Sequence, residues 1–164
     1  MNAKPVSAST VEFIRTMTQL DANLSGNVHG GVIMKEVDSA AGTAAIRHSG
    51  RRSVVTAAID EMSFLEPVHV GDILVVTAMV NYVGSTSMEV GVHVEAEAME
   101  TGSRRHTTSA YLVMVALDEH DQPAPVPQLE LTTDLERRRR ERAIVRRQIR
   151  TERRSRLGAM KGDR

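Results

Sequence analysis

Asp38 is a carboxylate inside GGVIMKEVDSAAGTAAIRH, a run from Gly30 to about His48 that is dense in alanine and small apolar residues and has no proline. A carboxylate in such surroundings must be paired, hydrogen-bonded or put to chemical use. Lys35, three residues earlier, is the local candidate for an ion pair; general-base or nucleophilic work is the other reading. His29-Gly30-Gly31 opens the same run. A helix N-terminus presents unpaired N–H groups and the positive end of the dipole, and glycine lets a ligand approach the backbone. This step therefore forms either a tight entry turn or a carbonyl-polarising oxyanion site. Asn23, in the loop DANLSGNVHGG, can orient a substrate carbonyl or a water, or close an Asx-turn. Gly84-Ser85-Thr86-Ser87 can offer hydroxyls and N–H groups to a phosphate or a pantetheine arm, or serve as a plain hairpin turn. The six histidines show no metal-ligand spacing. His29 reads as a structural hydrogen-bonder, with a general-base role left open.

Spacing constrains how these groups can cooperate. Gly30 and Asp38 are eight residues apart, about 12 Å along a helix. One small reacting group cannot touch both on the same helix. Two antiparallel helices related by a twofold axis bring Gly30 of one chain toward Asp38 of the other. If both residues act together, the site spans a dimer interface and occurs twice.

The elements that must position them follow from pattern. Residues 11–18 read as a first strand. The Gly30–His48 run leaves only a narrow polar strip, so a helix buried over most of its circumference is expected, stopped by Gly50. Residues 53–64, 73–83, 87–99 and 105–117 are long β-rich runs separated by turn chemistry. In MEVGVHVEAEAM, Val90, Val92, Val94, Ala96 and Ala98 fall on one face and Glu89, His93, Glu95 and Glu97 on the other, a half-buried antiparallel strand. DQPAPVPQ (121–128) ends strand pairing. Thr133-Asp134-Leu135-Glu136 is a capping box opening an Arg-rich helix to about Leu157, docked by a thin stripe around Ile144, Val145 and Ile149. The architecture expected is α+β: one buried helix against one antiparallel sheet, with a second copy covering the helix's far side. The divisions are an N-terminal tail (1–10), a domain (11–128) and a basic C-terminal helix and tail (129–164).

Composition narrows the chemistry. The 164 residues contain no cysteine, which excludes disulfides, Cys-zinc sites and a thiol nucleophile. Residues 1–10 lack the apolar core of a signal peptide, and the longest apolar run, Ala110–Leu117, is far short of a membrane span. A cytoplasmic protein without membrane partners is expected. The net charge of zero hides a split: residues 137–164 hold 13 of the Lys/Arg and 3 of the Asp/Glu, while 1–136 hold 8 and 18. The basic segment either binds an anion or nucleic acid, or is a solvated helix balancing the acidic body. With only Phe13, Phe64, Tyr82 and Tyr111 as aromatics, no platform for stacking bases is expected.

DANLSGNVHGGVIMKEVDSAAG followed by RRSVVTAAIDEMSFLEPVHVGD resembles the hotdog-fold acyl-CoA thioesterases, in particular the cytosolic, brain acyl-CoA hydrolase branch. GSTSMEVGVHVEAE and SAYLVMVALDEHDQPAPVPQL extend the resemblance over roughly residues 11–150. It implies a hotdog fold, a long central helix wrapped by a curved antiparallel sheet, and hydrolysis of fatty acyl-CoA to free acid and CoA between paired domains. Asp38 matches the catalytic carboxylate, Asn23 the asparagine of the facing half-site, and Gly30 the residue whose N–H polarises the thioester carbonyl. Thr56 resembles a hydroxyl position that holds the water or carboxylate, and Gly84, Ser85, Thr86 and Ser87 a CoA-contacting loop. The resemblance implies a homodimer with two equivalent sites, assembled further into a trimer of dimers, and no metal or redox cofactor. Met34, Met62 and Phe64 are the expected lining of an acyl groove. The alternatives are a hotdog hydratase or dehydratase acting on acyl thioesters, and a non-catalytic CoA-ester or RNA-binding module.

Overall fold

The computed structural model describes residues 1–51 and 53–159; Arg52 and residues 160–164, the end of the basic segment, lie outside the described residues. The elements are β1 (Lys4–Pro5), β2 (Val11–Thr16), α1 (Gly30–Ser49), β3 (Ser53–Phe64), β4 (Ile73–Val83), β5 (Ser87–Glu97), β6 (Arg104–Leu117), β7 (Leu129–Glu130) and α2 (Asp134–Ala159), with 3₁₀ turns at Val6–Ala8 and Gln19–Asp21. Five strands form an antiparallel sheet in the order β2-β4-β5-β6-β3. The α+β class expected from the pattern is the one observed.

Alternation builds the sheet. On β5, Met88, Val90, Val92, Val94 and Ala96 are buried against α1, while the residues between them face the other way. From α1, Ile33, Val37, Ala40, Ala41, Ala44 and Ala45 meet this surface, and all four alanines are completely buried. Their methyl groups let helix and strands approach closely, which leaves no room for a longer side chain. Gly50 closes α1 in the left-handed conformation at φ 69°. The Nζ of Lys4 donates to the carbonyls of Arg47 and His48, so a cation sits on the negative end of the helix.

Two expectations need correcting. First, within one protomer α1 is not buried around most of its circumference. Met34 and Ile46 are 45% and 41% exposed, with Asp38 exposed between them. The sheet curves round one side only, and apolar residues on the far side made the helix look apolar all round. Second, the Val145/Ile149 pair does not dock α2: both face solvent at 52% and 59% exposure. The face that meets the sheet carries the fully buried Ala143 and the ion-paired Arg146 and Arg150. The capping box forms as read, with Thr133 Oγ1 accepting from the Glu136 N–H and Glu136 Oε2 from the Thr133 N–H.

Residues 1–10, set apart above as a tail, pack on the body. Lys4–Pro5 pairs in parallel with Leu129–Glu130, and Ser9 Oγ accepts from the Val80 N–H.

Candidate active site

Asp38 lies on the open face of α1, two turns beyond the helix start. Thr56 Oγ1 donates to Asp38 Oδ1 at 2.6 Å. The local structure of β3 makes this contact possible. Thr56 pairs with the inward-facing Met114, and the register then slips between Thr56 and Ala58 and again between Ile59 and Glu61. These bulges re-aim the strand: Thr56, Ile59, Met62 and Phe64 oppose the inward side, whereas Asp60 is ion-paired to Arg150 on the other face. Lys35, the local candidate partner, makes no ion pair with Asp38 among the described residues. Asp38 Oδ2 has no hydrogen-bond partner among them either, so one carboxylate oxygen is held and one is free.

At the N-terminus of α1, His29 is the cap: its Nδ1 accepts from the Gly31 N–H at 2.9 Å. That bond puts the ring proton on Nε2 and commits His29 to structure. The next N–H, that of Val32, reaches the His29 carbonyl. The Gly30 N–H meets no acceptor among the described residues, and Phe64 lies beside it, 3.6 Å from where a Gly30 Cβ would stand. The helix therefore begins with a free donor on its positive end.

The loop before α1 is stiffly held. Asp21 accepts from the Thr18 N–H and hydroxyl and from Arg15, which also reaches Glu36 on α1. The Thr18 N–H, helped by the Thr18 hydroxyl and the Arg15 charge, keeps the Asp21 carboxyl below the usual carboxylate range against the effect of burial. Asn23 closes the Asx-turn, its Oδ1 accepting from the Ser25 and Asn27 N–H groups. Within one protomer it does not join Asp38. Asn27 in turn meets His69 Nδ1 at 2.9 Å, and the Val28 N–H reaches the Val68 carbonyl.

Gly84–Ser87 is a tight β4–β5 turn closed by the Gly84 N–H on the Ser87 carbonyl. The register puts it beside the end of β6 and the start of β3, at the opposite end of the sheet from Phe64 and Gly30. The structure thus joins Asp38 with Thr56, sets Gly30 apart along the helix, and leaves Asn23 and the turn away from the pair. Two cavities, of about 420 and 590 Å³, lie on the α2 side, and neither is lined by Asp38 or Thr56. Among the described residues there is no cluster of metal ligands, and no histidine pairs with Asp38. No helix among the described residues is long and apolar enough to cross a membrane.

Comparison with known proteins supplies the context. Residues 25–103 match the family model of the Thioesterase superfamily. The rat (Rattus norvegicus) protein named cytosolic acyl coenzyme A thioester hydrolase is 34% identical over 143 residues, 85% of this chain and 37% of its own longer one. The crystal structure of an apo-hexameric acyl-CoA thioesterase is 38% identical with a TM-score of 0.90, over 93% of this chain and 97% of that one. An acyl-CoA hydrolase from Staphylococcus aureus, solved with butyryl coenzyme A, coenzyme A and coenzyme A disulfide, is 33% identical with a TM-score of 0.89, over 96% of both chains. Variants of that enzyme with an asparagine, an aspartate and a threonine each changed to alanine have the same fold as this chain, at TM-scores of 0.91, 0.89 and 0.86. With one helix wrapped by a five-stranded antiparallel sheet and these solved structures matching nearly end to end, the chain belongs to the hotdog-fold thioesterases, in their acyl-CoA hydrolase branch.

Proposed function

We propose that the protein hydrolyses acyl-CoA thioesters to free acid and CoA at sites shared between two copies of the chain. The observation that carries this reading is the Asp38–Thr56 hydrogen bond on an open helix face whose first N–H, at Gly30, is unspent. The two groups are about 12 Å apart along the helix, so a twofold-related copy supplies one of them. The open face of α1, with Met34 and Ile46, and the adjoining edge strand β3, with Ile59 and Phe64 exposed, form an apolar surface suited to such a copy. The hexameric relative supports an oligomer of this kind, and a trimer of dimers extends the reading.

In this reading the thioester carbonyl lies against the Gly30 N–H of one copy. Asp38 of the other copy takes a proton from water as the water oxygen attacks the carbonyl carbon. Thr56 holds Oδ1, so the free Oδ2 receives the proton. The Gly30 N–H stabilises the oxyanion, a contribution of about 10²–10³ for one such donor. Collapse breaks the C–S bond, and the Asp38 carboxyl returns its proton to the leaving CoA thiolate. The Asn23 side-chain amide hydrogens, which have no partner among the described residues, orient the water or the thioester. In the S. aureus hydrolase the altered asparagine precedes the altered aspartate by 15 residues, the separation of Asn23 and Asp38 here. Met34, Met62 and Phe64 line the acyl groove, the Gly84–Ser87 turn contacts CoA, and no metal or redox cofactor takes part. The cytosolic relative supports a cytoplasmic location.

Thiol release from a panel of acyl-CoAs of increasing chain length tests the reading. Wild type releases CoA, and Asp38→Asn loses about a hundredfold or more, one general-base contribution. Wild type inactive across the whole panel overturns it.

A further inference from the structure

Asn23 belongs to the loop between the Gln19–Asp21 turn and α1. This loop is a small hairpin, closed at its base by an isolated antiparallel bridge between Ala22 and Val28. Inside it, Asn23 Oδ1 accepts from the Ser25 and Asn27 N–H groups at 2.8 and 3.2 Å, and the Gly26 N–H donates to the Asn23 carbonyl at 3.0 Å. These bonds give the loop its shape but not its aim. Packing does not set the aim either, because Leu24, Ser25 and Gly26 are all exposed, Leu24 fully so.

The aim comes from the segment before β4. The Val28 N–H donates to the Val68 carbonyl at the base of the loop. Further out, Asn27 and His69 form a second isolated bridge, and His69 Nδ1 stands 2.9 Å from Asn27 Oδ1. An amide oxygen only accepts, so Nδ1 carries the proton and donates. Among the described residues no other side chain from outside residues 22–28 bonds to the loop. His69 is itself fixed: its backbone N–H donates to Asp72 Oδ2 at 2.7 Å, and Arg105 of β6 donates to the same oxygen. Asp72 is buried, which anchors this joint in the body of the domain. A chain of bonds therefore runs from the sheet through Arg105, Asp72, His69 and Asn27 to the Asn23 side chain.

We propose, resting on the two-copy hydrolysis put forward above, that His69 is a positioning residue. Its Nδ1–H, acting through Asn27, sets the angle at which Asn23 is presented to the active site of the facing copy. His69 touches no reacting atom. Without its bond the exposed tip rocks about the 22–28 base, and a displacement of about 1 Å in a positioned group is enough to slow a reaction severely.

Thiol release by full-length variants, alone and as mixed dimers, tests this. His69→Leu is expected to lower kcat about tenfold, the order of one lost hydrogen bond. His69→Asn, whose amide nitrogen stands where Nδ1 does, restores most of it. Asn27→Ala removes the other end of the bond and loses about as much, and the double variant His69→Leu/Asn27→Ala loses no more than either. Thermal melts check that each variant stays folded. Subunit exchange supplies the readout that a general loss of structure would not move. His69→Leu mixed with Asp38→Asn forms dimers with one intact site, so activity rises toward about a quarter of wild type. His69→Leu mixed with Asn23→Ala leaves every site with one lesion or the other, so exchange changes nothing. Wild-type activity in His69→Leu overturns the proposal, as does a His69→Asn no better than His69→Leu, or repair by Asn23→Ala instead of by Asp38→Asn. Asp38→Asn and Asn23→Ala failing to repair each other is a separate outcome: it sinks the two-copy hydrolysis, and this role of His69 with it.

Discussion

Thr56 and Asp38 lie 18 residues apart in the chain and are joined by a 2.6 Å hydrogen bond across the seam between β3 and α1. The donor is a hydroxyl and the acceptor one oxygen of an exposed carboxylate, so the bond fixes the direction in which the other oxygen points. A positioning hydroxyl of this kind predicts a graded effect. Thr56→Ser retains most of the activity, because the donor survives. Thr56→Val, nearly isosteric but without the donor, is expected to lower kcat about tenfold, the loss of one hydrogen bond to a charged group. Steady-state thiol release separates the two. Equal activity in Ser and Val variants would remove Thr56 from the site.

How much of this was legible beforehand depends on how local each signal is. The span of α1 and the four long strands could be read, because each is one periodic run bounded by turn residues within a few positions. The bulges in β3 could not. Strict alternation from Thr56 puts Ala58, Asp60 and Met62 on the same face as Asp38; the first register slip puts Ile59 there in place of Ala58 and Asp60, the second restores Met62, and no glycine marks them. Thr56 itself entered only by resemblance. The docking of α2 was equally hidden: Arg146 and Arg150 find Glu89 and Asp60 at separations of 57 and 90 residues, and an arginine run by itself reads as a solvated face. The type and position of Asn23 fit both an Asx-turn and a substrate contact, and one protomer realises only the Asx-turn.

The Glu89–Arg146 pair predicts how α2 is held. Glu89 is buried and Arg146 largely so, so removing one partner strands the other charge. Glu89→Ala is expected to destabilise the protein by about 3 kcal/mol. Replacing both residues by leucine leaves no orphaned charge and is expected to stay within about 1 kcal/mol of wild type. Urea unfolding of the single and double variants measures this. Additive losses would mean that the pair does not couple.

Acid sensitivity follows from two histidines. Burial, ahead of the nearby Lys4 charge and against the Pro127 carbonyl it bonds, lowers the His48 pKa. Burial and the stacked His106 lower that of His93, against Glu95. The folded protein therefore binds fewer protons than the unfolded chain between the lowered values and the ordinary one of about 6.5. Stability is full above that pH and falls as pH drops through it toward the folded values. Melting temperatures from pH 8 to 5 are expected to decline below about 6.5 and to flatten in the His48→Gln/His93→Gln double variant. An unchanged slope in that variant would assign the acid loss elsewhere.

The shared site makes the most distinctive prediction, because two inactive chains should repair each other. Each site takes Asp38 from one copy and Asn23 and the Gly30 N–H from the other. A dimer of two Asp38→Asn chains has no working site, nor has a dimer of two Asn23→Ala chains. In a mixed dimer one site carries both lesions and the other carries neither. Random reassortment makes half of the dimers mixed, each with one intact site of two, so about a quarter of wild-type activity returns. Mixing the purified variants under conditions that exchange subunits, and following thiol release with time, reads this directly. Activity that never rises above the sum of the separate variants would place Asp38 and Asn23 in the same half-site and end the two-copy mechanism.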